Sequence, residues 1–421
     1  MELRPGYKRT EVGVIPEEWD VDTVASVTPR NVRNGIVDGP FGSNLKTIHY
    51  RNAGIPIVTS GYVTEGRFRA ENYLHVEKQK FEEEKRSAVR PGDIVMAKIG
   101  ARCGASAILP SDHPIGILSG NALKITVDKT RHSTFYVWQV LWSLYSEGNF
   151  EELRTVGAQP AISMANLKKH KIALPPEPEQ RAIAAALSDV DALLGGLDRL
   201  IAKKRDLKQA AMQQLLSGQT RLPGFSGEWE AVEFGDIASI RNFKVLPSSM
   251  PAGTQCVELE SIDQGTGRLL MSVEAAGLSS KYSFRKGDVL FGRLRAYLRK
   301  YWLATFDGVC STEIWPLIAR DERLAGSFLH LLVQSNDFVN AAGVSYGTHM
   351  PRTDWSVLKR LPVRIPPFPE QTAIAVILSD MDSELAALEA RRDKTRNLKQ
   401  GMMQELLTGK TRLVPAGGAD G

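Results

Sequence analysis

The sequence predicts an α+β fold in which two mixed α/β domains are joined by two long helices that form an antiparallel coiled coil with pseudo-two-fold symmetry. Three observations predict it: an internal duplication, a coiled-coil spacing of apolar residues in each copy, and weaker similarity between the segments that precede the copies. The predicted order is a domain at 1–174, a helix at 175–222, a domain at 223–365, a helix at 366–413 and a disordered tail at 414–421.

The duplication relates residues 175–222 to residues 366–413 by a constant offset of 191, without a gap. Identical residues occupy 27 of the 48 aligned positions. Composition alone would match only a few positions, so the segment is a true internal repeat, the feature to seek first in any sequence.

Each copy predicts one long helix. Pro178 and Pro369 suit a first helical turn, where a missing N–H costs nothing. Gly218 and Gly409 suit the position just after the last turn. About 39 residues lie between these marks, so each helix is expected to be about 58 Å long at about 1.5 Å per residue.

Apolar residues within the copies step by four and three, which is the spacing of a coiled-coil seam. The pattern breaks at Lys204 and Arg392 and is predicted to resume at Leu207 and Leu398. The predicted seam residues are Ile183, Leu187, Val190, Leu194, Leu197, Ile374, Leu378, Met381, Leu385 and Leu388.

The order of charges favours an antiparallel pair. In each copy acidic residues come first and basic residues follow, for example Asp191 before Lys204 and Glu384 before Lys399. An antiparallel arrangement sets acid against base at both ends, and the sum of several weak exposed pairs can select an orientation. The alternative is two unrelated surface helices.

Length and composition limit which classes of protein this chain can belong to. The chain has 421 residues, which is enough for two or three domains. Its net charge of +5 is compatible with a nucleic-acid partner without establishing one. Cys103, Cys256 and Cys310 are scattered and form no disulfide framework, which favours a reducing cytoplasm. No apolar run is long enough to span a membrane.

The two segments between the helices resemble each other. VRPGDIVMAKIGA at 89–101 parallels FRKGDVLFGRLRA at 284–296, and each Gly-Asp pair predicts a tight turn before a strand. Further strands follow in both, and then one helix in each, at 134–154 and at 323–343. Two similar domains on a spacer suit a bipartite target on a linear polymer such as duplex DNA.

Candidate DNA-contacting residues lie in basic, aromatic and Gly-rich stretches. Arginine suits bidentate contact to guanine or phosphate, and polar loop residues suit base edges. A solvated strand edge or an ordinary exposed turn is the alternative for each stretch. The candidates are Ser43, Asn44, Lys46, Lys98, Arg102, Arg293, Arg295, Tyr297, Arg299, Lys300, His349 and Arg352, with Lys98 and Arg102 at places matching the basic segment of the second domain.

Motifs for catalysis are missing from the sequence. It has no HExxH, no metal-like spacing among its seven histidines and no Gly-rich strand-turn for S-adenosylmethionine. We therefore predict that the chain carries no chemistry and no cofactor of its own.

Several motifs together resemble one family, the specificity subunits of type I restriction-modification systems. They are the paired LPPEPEQ (174–180) and IPPFPEQ (365–371), the DGPFGSNLK loop (38–46), GDVLFGRLRAYLRKYWLA (287–304) and GTHMPRTDW (347–355). The resemblance covers essentially the whole chain. It implies two target-recognition domains that each read half of an asymmetric bipartite DNA site, with the long helices setting the gap.

The resemblance also implies partners. Two modification (methyltransferase) subunits would dock on this chain, and restriction (translocase-nuclease) subunits can join. Sites for S-adenosylmethionine, ATP and Mg would then lie on those partners. The candidate docking residues are Glu179, Gln180, Glu370 and Gln371, whose alternative role is helix initiation. A competing hypothesis for the whole chain is a rod-like adaptor that joins proteins without binding DNA.

One departure concerns the middle of the first long helix. Gly195 and Gly196 lie there, where the second copy has Ala386 and Ala387. Each glycine costs a helix about 1 kcal/mol relative to alanine. Either a bend or the close approach of a partner would explain them.

Overall fold

The computed structural model describes residues 3–155, 159–277, 279–344 and 351–413. The chain divides into two compact units, the first formed by residues 1–196 and 392–421, the second by residues 197–391. Each unit therefore holds one globular domain and part of each long helix. The predicted disordered tail at 414–421 and His349 lie outside the described residues. No helix in the described ranges is long and apolar enough to cross a membrane.

The two predicted long helices are confirmed. The first spans Glu177–Ser217 (41 residues) and the second spans Phe368–Leu406 (39 residues). Gly218 and Gly409 follow them with φ of 71° and 69°, the left-handed conformation that lets a glycine end a helix. The first helix continues without a break through Gly195 and Gly196.

The helices run antiparallel within each unit. In the first unit Lys399 Nζ lies 2.8 Å from Asp191 Oδ1. In the second unit three further ion pairs join the helices: Lys204–Glu384 at 2.7 Å, Arg205–Glu389 at 2.6 Å and Lys208–Asp382 at 2.5 Å. The direction follows from pairs that lie further apart, since the residue number falls along one copy as it rises along the other: Glu179–Arg412 and Asp191–Lys399 in the first unit, Lys204–Glu384 and Arg221–Glu370 in the second. Each pair joins the basic part of one copy to the acidic part of the other, as the charge order predicts.

The predicted seam is buried over most of its length. Val190, Met381 and Leu388 are half-buried. The buried members are Ile183, Leu187, Leu194, Leu197, Ile374, Leu378 and Leu385.

The predicted continuation of the seam at Leu207 and Leu398 is wrong, since these side chains are 47% and 60% exposed. Leu207 follows the buried Ile201 by six residues, about 1.7 turns, and so faces away from the buried stripe. Leu215, fourteen residues after Ile201, returns to the stripe and is buried.

Three antiparallel or mixed sheets build the first domain. One has the strand order Ser106–Ile108, Ile94–Ala97, Ala122–Ile125, Ile36–Asp38, all antiparallel. Another has the order Ala88–Val89, Gly116–Leu118, Ile55–Val58, His75–Val76, with its two central strands parallel. A third pairs Asp20–Thr23 with Lys171–Leu174. Two hairpins, Tyr7–Thr10 with Gly13–Pro16 and Val63–Thr64 with Arg67–Phe68, complete the strands.

The second domain repeats this topology. Its first sheet has the order Tyr301–Leu303, Val289–Gly292, Ile314–Ala319, Ala238–Ile240. Its second has the order Lys244–Val245, Lys281–Phe284, Gly308–Cys310, Gln255–Val257, Val273–Glu274, again with one parallel pair, Gln255–Val257 with Gly308–Cys310. Its third pairs Glu230–Glu233 with Pro362–Ile365. Apart from the additional edge strand Lys244–Val245, the two larger sheets have the same strand order and the same parallel pair in both domains, so the duplication extends to the domains.

Helices pack on these sheets and join the cores to the long helices. Those of the first domain are Lys78–Glu83, Thr134–Ser146 and Met164–Lys169; those of the second are Phe234–Ile237, Gly326–Leu332, Asn336–Gly343 and Trp355–Leu358. The first core includes Ile183 and Leu187 from the start of one long helix and Leu406 from the end of the other. The second core likewise includes Leu215 and Leu378.

The single helix expected at 323–343 is two helices. Ser335 separates them, and its side chain accepts a hydrogen bond from Phe338 N as the N-cap of the second. A side-chain cap of this kind begins a new helix where the backbone leaves the old one.

Candidate nucleic-acid interface

Each domain presents a tight turn between two neighbouring strands of its first sheet, and the backbone of the turn is clamped to a second segment. In the second unit this clamped turn is 293–299. Arg295 N donates to Pro351 O at 2.9 Å, and Thr353 N donates to Arg293 O at 2.8 Å. The strand that the sequence predicts after Gly287-Asp288 ends at Gly292, so the basic segment is not part of it: residues 293–300 lie between strands Val289–Gly292 and Tyr301–Leu303.

The first unit has an equivalent clamped turn at 98–104. Gly100 N donates to Pro160 O at 3.0 Å, and Ile162 N donates to Lys98 O at 2.8 Å. These partners occupy the same relative positions as those of the second turn, so both domains hold the turn in the same way.

The two clamped turns share an unusual backbone conformation. Gly100 and Gly104 have φ of 101°. The corresponding residues of the second turn, Arg295 and Arg299, have φ of 54° and 50°. Left-handed φ is open to glycine but strained for a residue with a Cβ, by roughly 1–2 kcal/mol. The second turn therefore accepts backbone strain at two arginines where the first uses glycine.

Most basic side chains of the second clamped turn have partners inside the unit. The Arg293 guanidinium carbon lies 4.9 Å from the ring centroid of Trp315. Arg299 donates to Gln334 O at 3.2 Å and to Asn336 Oδ1 at 2.7 Å. These contacts fix the direction of each cation.

Two further candidates beside this turn are also held in place. Lys300 Nζ donates to Leu259 O at 2.8 Å. Arg352 binds the Glu313 carboxylate with two nitrogens, at 2.9 Å and 2.8 Å, and these hydrogen bonds lower the pKa of Glu313. His349, the remaining candidate near here, lies outside the described residues.

Arg295 and Tyr297 stand out from this group. Arg295 is exposed, and Tyr297 is 61% exposed at the tip of the turn. Neither side chain has a hydrogen-bonding or ionic partner among the residues the structure describes. The turn thus presents one unpaired cation and one aromatic ring on a fixed backbone.

Lys98 joins the candidate residues of the first unit. Its Nζ lies 2.6 Å from Asp38 Oδ2 and 4.0 Å from the ring centroid of Phe41. Phe41 begins the turn Gly42–Asn44 and is 45% exposed. The structure therefore brings Lys98 to the DGPFG loop, although 60 residues separate it from Asp38.

The loop itself lies close against a neighbouring strand end. A Cβ on Gly39 would stand 2.0 Å from Ser119 O, so only glycine fits there. Asn44 and Lys46 are exposed beyond this anchor, and Ser43 lies between Gly42 and Asn44 in the same turn. Arg102, at the tip of the first clamped turn, is exposed and donates to Val63 O at 3.2 Å.

Phe41 was missed as a candidate. Its aromatic ring lies in the DGPFGSNLK motif, flanked by residues that were chosen, and the signal that could have found it is an aromatic residue in a Gly-rich polar loop. Exposed aromatic rings stack on bases in nucleic-acid-binding proteins.

The four candidate docking residues are buried. Glu179 is 1% exposed and accepts hydrogen bonds from Arg412 and from Trp19 Nε1. Glu370 is also 1% exposed and binds Arg221 at 2.5 Å and 2.6 Å. Glu179 and Glu370 are equivalent residues of the two copies, and so are Arg221 and Arg412, since both pairs differ by the offset of 191. Each ion pair therefore joins the glutamate of one copy to the arginine of the other.

The two glutamines form hydrogen bonds at the starts of the same two long helices. Gln180 accepts from Ser133 N at 3.1 Å and donates to Pro175 O at 2.9 Å. Gln371 accepts from Ala325 N at 2.9 Å and donates to Pro366 O at 2.8 Å. Buried, hydrogen-bonded side chains of this kind favour the alternative of an internal structural role at the helix starts.

Groups suited to metal chemistry are not assembled in the described parts of the chain. No set of three or more His, Cys, Asp or Glu side chains there is placed to hold a metal ion. Burial raises the pKa of all three cysteine thiols, Cys103, Cys256 and Cys310. Raised thiol pKa values are typical of inert structural cysteines.

Comparison with known proteins gives the class. The chain matches the family model described as "Type I restriction modification DNA specificity domain" twice, at residues 42–202 and 226–395. The chain belongs to this family of DNA specificity proteins, and the two matches correspond to its two repeated domains.

Individual relatives agree with this class. A specificity subunit assigned to the type I restriction enzyme MjaX of Methanocaldococcus jannaschii is 23% identical, over 97% of each chain. The MjaVIII specificity subunit of the same organism is 24% identical, over 71% of this chain and 75% of its own. The crystal structure of the type I restriction-modification S subunit from M. genitalium aligns with a TM-score of 0.57 and 15% identity, over 96% of this chain and 98% of that one. The last likeness concerns the fold.

Proposed function

We propose that this chain is the non-catalytic subunit that reads DNA for a type I restriction-modification complex, each domain contacting one half of an asymmetric bipartite site. The observation that carries the proposal is the equivalence of the two clamped turns. Both are held by the same backbone hydrogen bonds, and both present exposed side chains at the tip. Two similar reading surfaces that carry different residues suit two different half-sites.

The side chains proposed to contact DNA lie around these turns. In the second unit they are Arg295 and Tyr297, with Arg293, Arg299, Lys300, His349 and Arg352 around them. In the first unit they are Lys98, Arg102 and the loop residues Ser43, Asn44 and Lys46. Basic side chains held by internal contacts suit phosphate oxygens, because a fixed cation needs little further ordering.

We further propose that the length of the long helices sets the number of base pairs between the half-sites. The ion pairs between the helices support this, because they fix which residues of one helix lie opposite which residues of the other. An insertion must therefore be made in both helices. One turn, about 5.4 Å, corresponds to one or two base steps of about 3.4 Å.

The proposal extends to partners. Two modification subunits would dock on the helices, restriction subunits can join, and S-adenosylmethionine, ATP and Mg would bind to those partners in the cytoplasm. Glu179, Gln180, Glu370 and Gln371 stay candidates for docking, and their burial means that they would act by holding the helix starts in place.

A selection of bound duplexes from a random library tests the function. The complex is expected to enrich two short sequences at a fixed separation, and methylation mapping should report the same site. Matched four-residue insertions between Arg181 and Lys203 and between Thr372 and Lys394 should lengthen the gap by one or two base pairs. No enriched sequence would favour the protein adaptor, and an unchanged gap would refute the spacer role alone.

The docking role is tested separately. The double variant Gln180→Ala, Gln371→Ala should lose modification subunits in a pull-down and also melt at a lower temperature. Full retention of the partner by a destabilised variant would refute docking through these residues.

A further inference from the structure

We propose that Arg295 is a base-reading residue, which recognises a guanine edge in one half-site, and that its strained backbone serves this purpose. The inference rests on the proposed function and deepens it, because it distinguishes one arginine of the second clamped turn from the cations around it. The feature that points to it is a residue that is at once strained, exposed and unpaired in the described structure.

The strain has a direct comparison inside the chain. Arg295 has φ of 54°, and Gly100 has the matching place and a φ of 101°. Both donate their backbone N–H to a proline carbonyl, Pro351 O or Pro160 O. The turn can therefore be built with glycine, which avoids a left-handed Cβ altogether. Folding alone gives no reason for an arginine at this position.

At Arg299, by contrast, contacts within the unit compensate for the backbone strain. It has nearly the same left-handed φ, 50°, but its guanidinium donates to Gln334 O and to Asn336 Oδ1. Those hydrogen bonds offset its strain within the unit. Arg295 has no such contact among the described residues, so nothing in the described part of the chain offsets its strain. Strained residues of this kind cluster at binding sites.

The surroundings favour a base over a phosphate. Lys300 and Arg352 are tied to protein acceptors, and Arg293 lies over Trp315. Cations held by internal contacts in this way suit phosphate oxygens. Bidentate recognition of guanine O6 and N7 needs a guanidinium with free nitrogens on a fixed backbone, and Arg295 offers one on a turn hydrogen-bonded to residues 351–353.

Tyr297 is placed to assist. It lies two residues on, 61% exposed on the same turn, and its ring can pack beside the base that Arg295 reads. The corresponding position in the first clamped turn holds Arg102. The two turns would therefore read different bases through different side chains on the same backbone.

The test compares the bound-sequence preferences of the assembled complex with those of three variants. Arg295→Lys keeps the charge and should lose at least about 10-fold discrimination for guanine at one position of one half-site, with an unchanged salt slope. Arg295→Gly should lose the same preference while the melting temperature stays equal or rises. Glu65→Gly is the matched control, because Glu65 also has left-handed φ, at 50°, but lies in the hairpin at 63–68, outside both clamped turns; it should leave the preference at that position intact.

The outcomes separate the two proposals. Loss of affinity for all sequences alike, with a smaller salt slope in Arg295→Gly and an unchanged preference in Arg295→Lys, would overturn base reading in favour of a phosphate contact. A clear fall in melting temperature for Arg295→Gly would overturn the claim of uncompensated strain. If the wild-type complex selects no sequence, the proposed function itself fails.

Discussion

Arg412 forms a bidentate ion pair with the carboxylate of Glu179, Nε to Oε1 at 2.6 Å and Nη2 to Oε2 at 2.8 Å, although 233 residues separate them in the chain. The carboxylate is buried, and the arginine comes from the segment that follows the second long helix. Arg221 and Glu370 form the same pair in the second unit.

Removal of the arginine should destabilise the first unit strongly. Arg412→Ala leaves a buried carboxylate without its cation, which costs about 3–5 kcal/mol of the free energy of unfolding. Urea denaturation followed by tryptophan fluorescence measures it. The double variant Arg412→Ala, Glu179→Gln removes the unpaired charge and should recover part of the loss; a single variant within 1 kcal/mol of the wild type would contradict the role.

Differences in burial along the long helices predict that Leu→Ala substitutions lower the free energy of unfolding by different amounts. Leu378→Ala should lower the free energy of unfolding by about 2–5 kcal/mol, because this side chain is fully buried in the second core. Leu398→Ala is the matched control: its side chain is 60% exposed, so the change should stay within about 0.5 kcal/mol. Equal costs for the two variants would show that the buried face of the helices is assigned wrongly.

The glycine in the middle of the first long helix should be replaceable. A Cβ on Gly196 meets nothing within 4 Å, so Gly196→Ala is expected to stabilise the isolated chain by about 0.5–1 kcal/mol. Gly409→Ala should do the opposite, because its φ is 69° and a Cβ would stand 2.5 Å from Pro16 Cδ. Thermal unfolding of both variants measures this. Loss of partner binding by a stabilised Gly196→Ala would indicate close approach of another subunit there.

Buried histidines should make stability fall in mild acid. Burial lowers the pKa of His132 below its usual 6.5, and Nε2 of this ring has no hydrogen-bond partner among the described residues. The unfolded chain then takes up a proton near pH 6.5 that the folded chain does not, so stability declines as the pH falls below about 6.5.

The variant that tests this is His132→Gln, which should reduce the fall in melting temperature between pH 7 and pH 5. His330, whose pKa burial lowers to about 4, should cause part of the remaining fall. A pH profile that His132→Gln leaves unaltered would mean that this ring titrates normally in the folded protein.

The sequence predicted those features that local residues encode. Pro178 and Gly218 marked the ends of the first long helix because proline and glycine act through their own backbone. The antiparallel order followed from charges that face each other in the folded chain. The seam failed at Leu207 because this leucine, six residues after Ile201, lies off the buried stripe to which Leu215 returns, and the spacing of leucines alone does not reveal which of them lie on the stripe.

Contacts between distant segments lay beyond sequence reasoning. In the sequence Glu179 is an acidic residue in a first helical turn, and no neighbouring residue indicates that it is buried and paired with Arg412. Left-handed φ at Arg295 is similarly hidden, since arginine rarely adopts it. A comparison of the two domains was the available signal, because Gly100 stands where Arg295 does. The candidate DNA residues stay predictions, which the experiments above test.

The participation of Leu406 in the first core has a consequence for biosynthesis. A ribosome that has just made Leu187 must add more than 200 residues before Leu406 emerges, which takes roughly 10–40 s at about 5–20 residues per second. During that interval the amino-terminal half lacks part of its apolar interior. Nascent chains therefore pass through a stage at which chaperones or neighbouring polysomes can engage the uncovered side chains of Ile183 and Leu187.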